Sequence, residues 1–127
     1  MESMFSAQHR LAADILSQID TAITEILEWN KGVKDEGDYI KSPDGSRTLA
    51  ATSMLLSAIG EGLKRVDRLT DGELLPRRPE IPWKLVMGMR DHIAHGYFDI
   101  DASLIFTTVQ EDLHPLQEAV RALKAIA

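Results

Sequence analysis

Residues 11–26 have the sequence LAADILSQIDTAITEI, and this stretch decides the fold class. Its apolar side chains recur at steps of three and four, the spacing of one face of an α-helix. They are Leu11, Ile15, Ile19, Ala22, Ile23 and Ile26. We therefore predict a long amphipathic helix over residues 6–30, which Lys31-Gly32 ends.

A second stretch repeats this spacing further along the chain. Its apolar stripe consists of Leu49, Leu56, Ile59, Leu63 and Val66. The stripe predicts a helix over residues 47–70, capped by Ser46 and ended by Thr70-Asp71-Gly72. Between the two helices, Val33–Gly45 is rich in charge, contains Gly37, Pro43 and Gly45, and has no sustained period, so we predict a loop.

The C-terminal third of the chain predicts two further helices. One covers residues 82–95, with Pro82 in its first turn and Gly96 at its end. The last helix starts at a cap, Asp101, and keeps helical spacing through Pro115, so a kink is expected near 111–114. With no alternating strand pattern, the prediction is an all-α, up-and-down four-helix bundle with a kinked last helix.

Composition limits the possible classes of protein. The 127 residues suit a single domain over 1–127, and no apolar run approaches the roughly 20 residues of a membrane span. The chain has no cysteine, which excludes disulfides, zinc–thiolate sites and thiol nucleophiles. Since its first residues also lack the features of a signal peptide, we expect a cytoplasmic protein with no membrane partner. The net charge of -6 argues against a broad nucleic-acid-binding surface, so a nucleic acid, if one is the substrate, would have to be held locally.

The third predicted helix contains a pair of residues suited to phosphate chemistry. Arg90 lies at the edge of an apolar arc, where a snorkelling or salt-bridged structural arginine is the simplest explanation. His95 adds a group that exchanges protons near neutral pH, while an arginine can hold phosphate oxygens with two hydrogen bonds. Together they are a minimal set for metal-free RNA cleavage, in which a ribose 2′-hydroxyl attacks the neighbouring phosphate.

The helical spacing of this pair raises a geometric problem. On an ideal helix the five-residue step from Arg90 to His95 separates the two side chains by about 140°. Either the last turn before Gly96 is distorted, or Arg90 of one subunit meets His95 of another across a two-fold interface. Tyr97 would return to the arginine's side, where it could bind a phosphate, orient Arg90 or simply cap the core.

Metal and cofactor sites have weaker support in the sequence. Asp91 lies four residues before His95 and could fix the imidazole tautomer, but the two would make only an incomplete metal site. Glu111 and His114 are half of a di-iron signature without a second copy. Glycine-rich nucleotide-binding motifs are missing, so we expect neither a metal nor a cofactor.

The segment as a whole resembles a known family. Arg90-x4-His95-x-Tyr97 is similar to the R-x4-H-x-Y signature of the HepT-like branch of the HEPN superfamily, whose members are small helical bundles. The resemblance extends from Ile81-Pro82-Trp83 through Gly88-Met89-Arg90 to the residues after His95, and the number and order of helices carry it across the chain. It implies a single HEPN-like domain.

The resemblance also implies an activity. HepT-like proteins are metal-independent endoribonucleases that form homodimers, with the R-x4-H residues lining the cleft between subunits. Carried over, Arg90 and His95 are catalytic, and Asp91 fills the polar position after the arginine. Members are toxins of type VII-like toxin–antitoxin systems, paired with a minimal nucleotidyltransferase antitoxin that transfers AMP to the motif tyrosine. Tyr97 would be the acceptor.

Two other interpretations use the same residues differently. The first is a non-catalytic HEPN module that binds a nucleotide or a partner protein. The second is a structural bundle that dimerises through the face of Val86 and Ile93, with Arg90 in a salt bridge. The RNA-cleaving enzyme described above is the hypothesis that uses the chemistry of both Arg90 and His95.

Overall fold

Two long helices, α1 (Met4–Trp29) and α2 (Pro43–Leu69), form the frame of the fold. The computed structural model describes residues 3–96 and 98–127. The remaining α-helices are α3 (Trp83–Met87), α4 (Met89–Ile93), α5 (Ala102–Thr107) and α6 (Leu113–Ile126). α1 packs against α2 on one side and α6 on the other, while α3 and α4 pack on α2. The predicted all-α bundle is confirmed.

The core is built from the apolar stripes that the sequence predicts. In α1 the predicted stripe is buried at Ile15, Ile19, Ile23 and Ile26, whereas Leu11 at its start is exposed. Polar bonds add to the packing of α6 on α1. The Gln117 Nε2 donates to the Asp20 carboxylate at 2.9 Å and to the Thr24 hydroxyl at 2.8 Å.

The connection between α1 and α2 is more ordered than the predicted loop. It contains a 3₁₀ helix, Glu36–Tyr39, and Tyr39 is fully buried. The Tyr39 hydroxyl donates to the Asn30 side-chain oxygen at 2.6 Å. The Asn30 amide nitrogen in turn donates to the Thr52 hydroxyl at 3.0 Å and to the Ile26 carbonyl at 2.8 Å. The side chains of Asn30, Tyr39 and Thr52 are called the buried polar cluster below.

The start of α2 differs from the prediction. The helix begins at Pro43, and its cap is Ser42, whose Oγ accepts the Gly45 N–H at 3.0 Å. The predicted cap, Ser46, lies inside the helix and donates to the Tyr39 carbonyl. Proline suits this first helical position because its missing N–H needs no partner there.

The third predicted helix is broken and ends early. Gly88 separates α3 from α4, and Ala94 is extended, with φ −154° and ψ 143°. The prediction of one helix over 82–95 was therefore wrong, and Pro82 caps α3 instead of lying in its first turn. Glycine weakens a helix interior by about 1 kcal/mol, and two five-residue helices depend on packing for their stability.

The last helical segment has the predicted interruption. Asp101 caps α5, its side chain accepting the Leu104 N–H at 3.0 Å. A π-helical turn, Thr108–Asp112, then joins α5 to α6. Pro115 has no N–H to donate to the carbonyl four residues earlier, and its ring crowds that carbonyl. The π-helical turn therefore lies where the regular α-helical hydrogen bonds are interrupted. The prediction of a kinked last helix is confirmed.

None of the described helices combines the length and apolarity that a membrane span requires.

Candidate active site

The predicted catalytic residues flank the end of α4. That helix finishes at Ile93, which is fully buried, and the chain then passes through extended Ala94 into a tight turn. An isolated antiparallel bridge between Ala94 and Ile100 closes the turn. Residues 94–96 and 98–100 are called the motif turn below.

Backbone bonds hold the motif turn. The His95 N–H donates to the Asp99 carbonyl at 3.0 Å, and the Asp99 N–H donates to the Gly96 carbonyl at 3.4 Å. The Asp101 N–H donates to the Ile93 carbonyl at 2.7 Å, which ties the far side of the turn to the buried end of α4. Gly96 has φ +112°, a conformation that glycine adopts readily because it has no Cβ and that other residues strongly disfavour. The predicted role of Gly96 in ending the helix therefore becomes a role inside the turn.

This geometry changes the relation expected between Arg90 and His95. Arg90 belongs to α4, but His95 lies beyond the helix, so the angle of about 140° for a continuous helix does not apply. Of the two alternatives, a non-helical last turn is present in the structure. A site shared between two subunits stays a prediction.

The side chains at this site are open to solvent and unpaired. Arg90, Asp91 and His95 are all exposed. Within residues 3–96 and 98–127, no hydrogen bond or ion pair involves their side chains, so the salt bridge of a structural arginine is not formed and Asp91 does not hold the His95 ring. Tyr97, the predicted AMP acceptor, lies outside the described residues.

An apolar cavity of about 680 Å³ lies between α3–α4 and the last helical segment, so it borders α4, the helix that carries Arg90. Its apolar lining consists of Ile81, Pro82, Leu85, Val86, Met89, Leu104, Leu113, Pro115 and Leu116. The lining also has polar residues, which are Glu80, His92, Thr108 and Asp112. Burial, followed by the neighbouring Glu111 charge, raises the pKa of Asp112.

Sequence reasoning did not find this cavity. His92 is exposed and lines the cavity, although no sequence pattern gave it a role. The available signal was Leu85, an apolar residue on the predicted arc that is 63% exposed. As for metals, the described residues contain no group of three or more His, Asp or Glu side chains placed to hold an ion.

The fold and this turn together define the class of protein: a small helical bundle of HEPN type that presents an arginine and a histidine around the end of a short helix. The model of the family described as ribonuclease HepT-like matches residues 12–123. The chain belongs to this family.

Individual relatives agree with the family match. A protein of Thermococcus cleftensis named "Probable ribonuclease HepT" is 31% identical over 111 residues, covering 87% of this chain and 94% of the relative. A "Putative RNase" of Caldanaerobacter subterraneus subsp. tengcongensis is 29% identical over 98 residues, covering 77% and 80%. A "Putative RNase" of Methanocaldococcus jannaschii is 27% identical over 105 residues, covering 83% of this chain and 89% of the relative. No solved structure matches the chain significantly.

Proposed function

We propose that this protein is a metal-independent endoribonuclease whose catalytic residues are Arg90 and His95. The family match and the names of the relatives support an RNase-type function. The observation that carries the assignment of residues is that both side chains are exposed and unpaired around one backbone-bonded turn. A structural arginine and histidine would be bonded to neighbours, whereas a substrate phosphate needs donors that are still free.

The chemistry follows from the two side chains. The His95 imidazole accepts the proton of a ribose 2′-hydroxyl as the 2′-oxygen attacks the adjacent phosphorus. The new 2′-O–P bond forms while the bond from phosphorus to the 5′-oxygen breaks, and the 5′-oxygen leaves with a proton from solvent or a second histidine. Arg90 stabilises the negative charge on the phosphoryl oxygens with charge-assisted hydrogen bonds. The products carry a 2′,3′-cyclic phosphate and a 5′-hydroxyl.

Asp91 has a supporting role in this proposal. Its carboxylate lies next to Arg90 in the sequence and is exposed, so it is available to orient the guanidinium or the His95 ring when substrate is bound. Replacing it should therefore lower the rate less than replacing either catalytic residue.

The complete active site is proposed to be a cleft between two copies of the chain. The apolar cavity, which the exposed Leu85 lines, borders α4, the helix that carries Arg90, and a second copy would cover this apolar surface. A two-fold arrangement brings two sets of Arg90 and His95 together and provides one histidine as base and another as acid. Sedimentation showing only monomer at micromolar concentration would contradict the shared cleft.

Regulation as a toxin is proposed on the same motif. A minimal nucleotidyltransferase antitoxin would transfer AMP from ATP to Tyr97, the tyrosine oxygen attacking the α-phosphorus and pyrophosphate leaving. The added phosphate, two residues from His95, would compete with RNA for Arg90. Mass spectrometry after co-expression should find AMP on Tyr97 and none on the Tyr97→Phe variant. AMP on another residue would refute this part of the proposal.

The decisive experiment for catalysis is cleavage of RNA in EDTA. Wild type should cut, while Arg90→Ala and His95→Ala should each lose about 10²- to 10⁴-fold in rate, the usual contribution of a proton-transfer or charge-stabilising group. The matched controls, Arg77→Ala and His114→Ala, remove exposed side chains of the same types outside the motif and should cut normally. Intact RNA with wild type, or normal cutting by both motif variants, would refute the assignment; nucleotide binding without cutting would favour the non-catalytic module.

A further inference from the structure

The most exposed large apolar side chain of the described residues lies in the motif turn. Phe98 is 97% exposed, compared with 79% for Met4 and 76% for Ile40. Single exposed apolar residues are common on protein surfaces and need no explanation by themselves. Phe98 differs because its backbone belongs to the same closed turn as the candidate catalytic histidine.

The turn holds Phe98 close to His95. Three residues of chain span at most roughly 11 Å, so the two Cα atoms cannot lie further apart. The His95 N–H donates a hydrogen bond of 3.0 Å to the carbonyl of Asp99, the residue after Phe98. This bond folds the chain back, so the distance between the Cα atoms of His95 and Phe98 is shorter than that of an extended chain. Both ends are anchored, since Ile93 is fully buried and Ile100 is partly buried against the core. An aromatic ring is therefore presented to solvent from an anchored backbone beside the reaction centre.

The negative net charge of the protein favours base stacking as a source of affinity for RNA. At a net charge of -6, broad attraction of the phosphate backbone cannot supply most of the affinity for RNA. Stacking of a base on an aromatic ring does not depend on net charge and tolerates any base. It requires an unstacked base, which single-stranded loops and ends provide and a regular duplex does not.

We propose that the Phe98 ring is a stacking platform for a nucleobase beside the scissile phosphate, which makes single-stranded RNA the preferred substrate. This inference rests on the proposed ribonuclease function, because it places the ring relative to the Arg90 and His95 site. Phe98 thus contributes binding and position, while the chemistry stays with Arg90 and His95.

The test measures binding separately from cleavage. In a His95→Ala background, the dissociation constant is measured for a fluorescent single-stranded RNA and for the same sequence as a duplex. Phe98→Ala should weaken single-strand binding by roughly 5- to 100-fold, the effect of losing one stacked base, and leave the weaker duplex binding unchanged. Phe98→Trp should restore the affinity for single-stranded RNA. Phe5→Ala is the matched control, since Phe5 is a 65% exposed phenylalanine in α1, and it should have no effect.

A second RNA identifies the stacked base. Abasic sites are placed one at a time along the single strand, and at one position the abasic RNA should bind wild type and Phe98→Ala equally. An unchanged dissociation constant for Phe98→Ala, or the same loss at every abasic position, would overturn the stacking platform. Sedimentation is run in parallel: if Phe98→Ala weakens self-association as much as RNA binding, the ring belongs to a protein interface and the proposal is also overturned.

These outcomes are distinct from failure of the proposed function. If wild type cuts RNA and Phe98→Ala cuts single strands equally well at subsaturating substrate, only the platform is refuted. If wild type cuts no RNA, the ribonuclease assignment is refuted, whatever the binding series shows.

Discussion

The polar side chains of the buried polar cluster and those flanking the end of α4 differ in burial and in hydrogen bonding. Asn30, Tyr39 and Thr52 are buried and bonded to one another. Arg90 and His95 are exposed and bonded to no described side chain. A buried polar group without a partner costs about 1–3 kcal/mol, so the cluster must be complete, whereas water solvates the exposed pair until a ligand arrives. The contrast separates a region whose bonds contribute to stability from one whose polar side chains are available to a ligand.

Breaking the buried polar cluster should have the largest effect on stability. Asn30→Ala leaves the Tyr39 hydroxyl and the Thr52 hydroxyl without their partner, so we expect the free energy of unfolding to fall by roughly 2–4 kcal/mol. Urea denaturation measures the loss, and the rate of RNA cleavage by the folded fraction should not change. Lys31→Ala, which removes one exposed ion pair next in the sequence, should cost under about 1 kcal/mol. Equal losses for the two variants would contradict the contrast.

The close contact between α2 and α3 has the next largest effect on stability. A Cβ on Gly60 would lie 2.9 Å from the Val86 carbonyl oxygen and 3.3 Å from that of Met87, both backbone atoms. Gly60→Ala should therefore destabilise the protein by roughly 1–2 kcal/mol, even after the gain of about 1 kcal/mol in helix propensity.

Gly62→Ala is the matched control for Gly60→Ala in the same helix. Its Cβ would meet the end of the Ile19 side chain at 3.2 Å, which can move aside, so thermal denaturation should show little change or a small gain. If the contact with α3 also positions the motif turn, Gly60→Ala lowers the rate of RNA cleavage and Gly62→Ala does not. Equal stability of the two variants would contradict the role of backbone contact at Gly60.

A smaller effect appears as a pH dependence of stability. Burial raises the pKa of Tyr39 to about 12, above its ordinary value of 10.0. Because the folded state disfavours the phenolate, this contribution to stability is fully present below pH 10 and is lost as the pH rises towards 12. The difference in unfolding free energy between wild type and Tyr39→Phe should shrink over that range. A difference that stays constant to pH 12 would refute a buried, protonated Tyr39.

The smallest effect on stability is expected at Asp112, which lines the cavity. Burial and the Glu111 charge raise the pKa of Asp112, so its ionised form is disfavoured in the folded protein at neutral pH. Asp112→Asn should slightly stabilise the protein at pH 7, and the gain should disappear as the pH falls through the ordinary pKa of 3.8. Thermal denaturation at both pH values checks the sign. A loss of stability at pH 7 would show that the carboxylate makes a favourable contact.

Much of the architecture was predictable because it depends on local pattern. The stripe of α1, the Asp101 cap and the interruption before Pro115 all follow from the spacing and chemistry of nearby residues. The differences from the prediction lie where the connection between α1 and α2 packs against the core. Ser42 replaced Ser46 as the cap of α2, and the connection before it folded around Tyr39 because Asn30 offers that side chain a buried acceptor.

For the candidate site, the sequence by itself determined the residue types and their order, from Arg90 to Tyr97, and hence the chemistry available. It could not determine that the helix stops at Ile93, because the apolar period continues past that residue. Only the tertiary structure decided this: the bond from the Asp101 N–H to the Ile93 carbonyl and the bridge between Ala94 and Ile100 replace helical bonds with contacts across the motif turn. Those contacts take His95 out of the helix, since backbone groups bond wherever the folded chain brings a partner within reach.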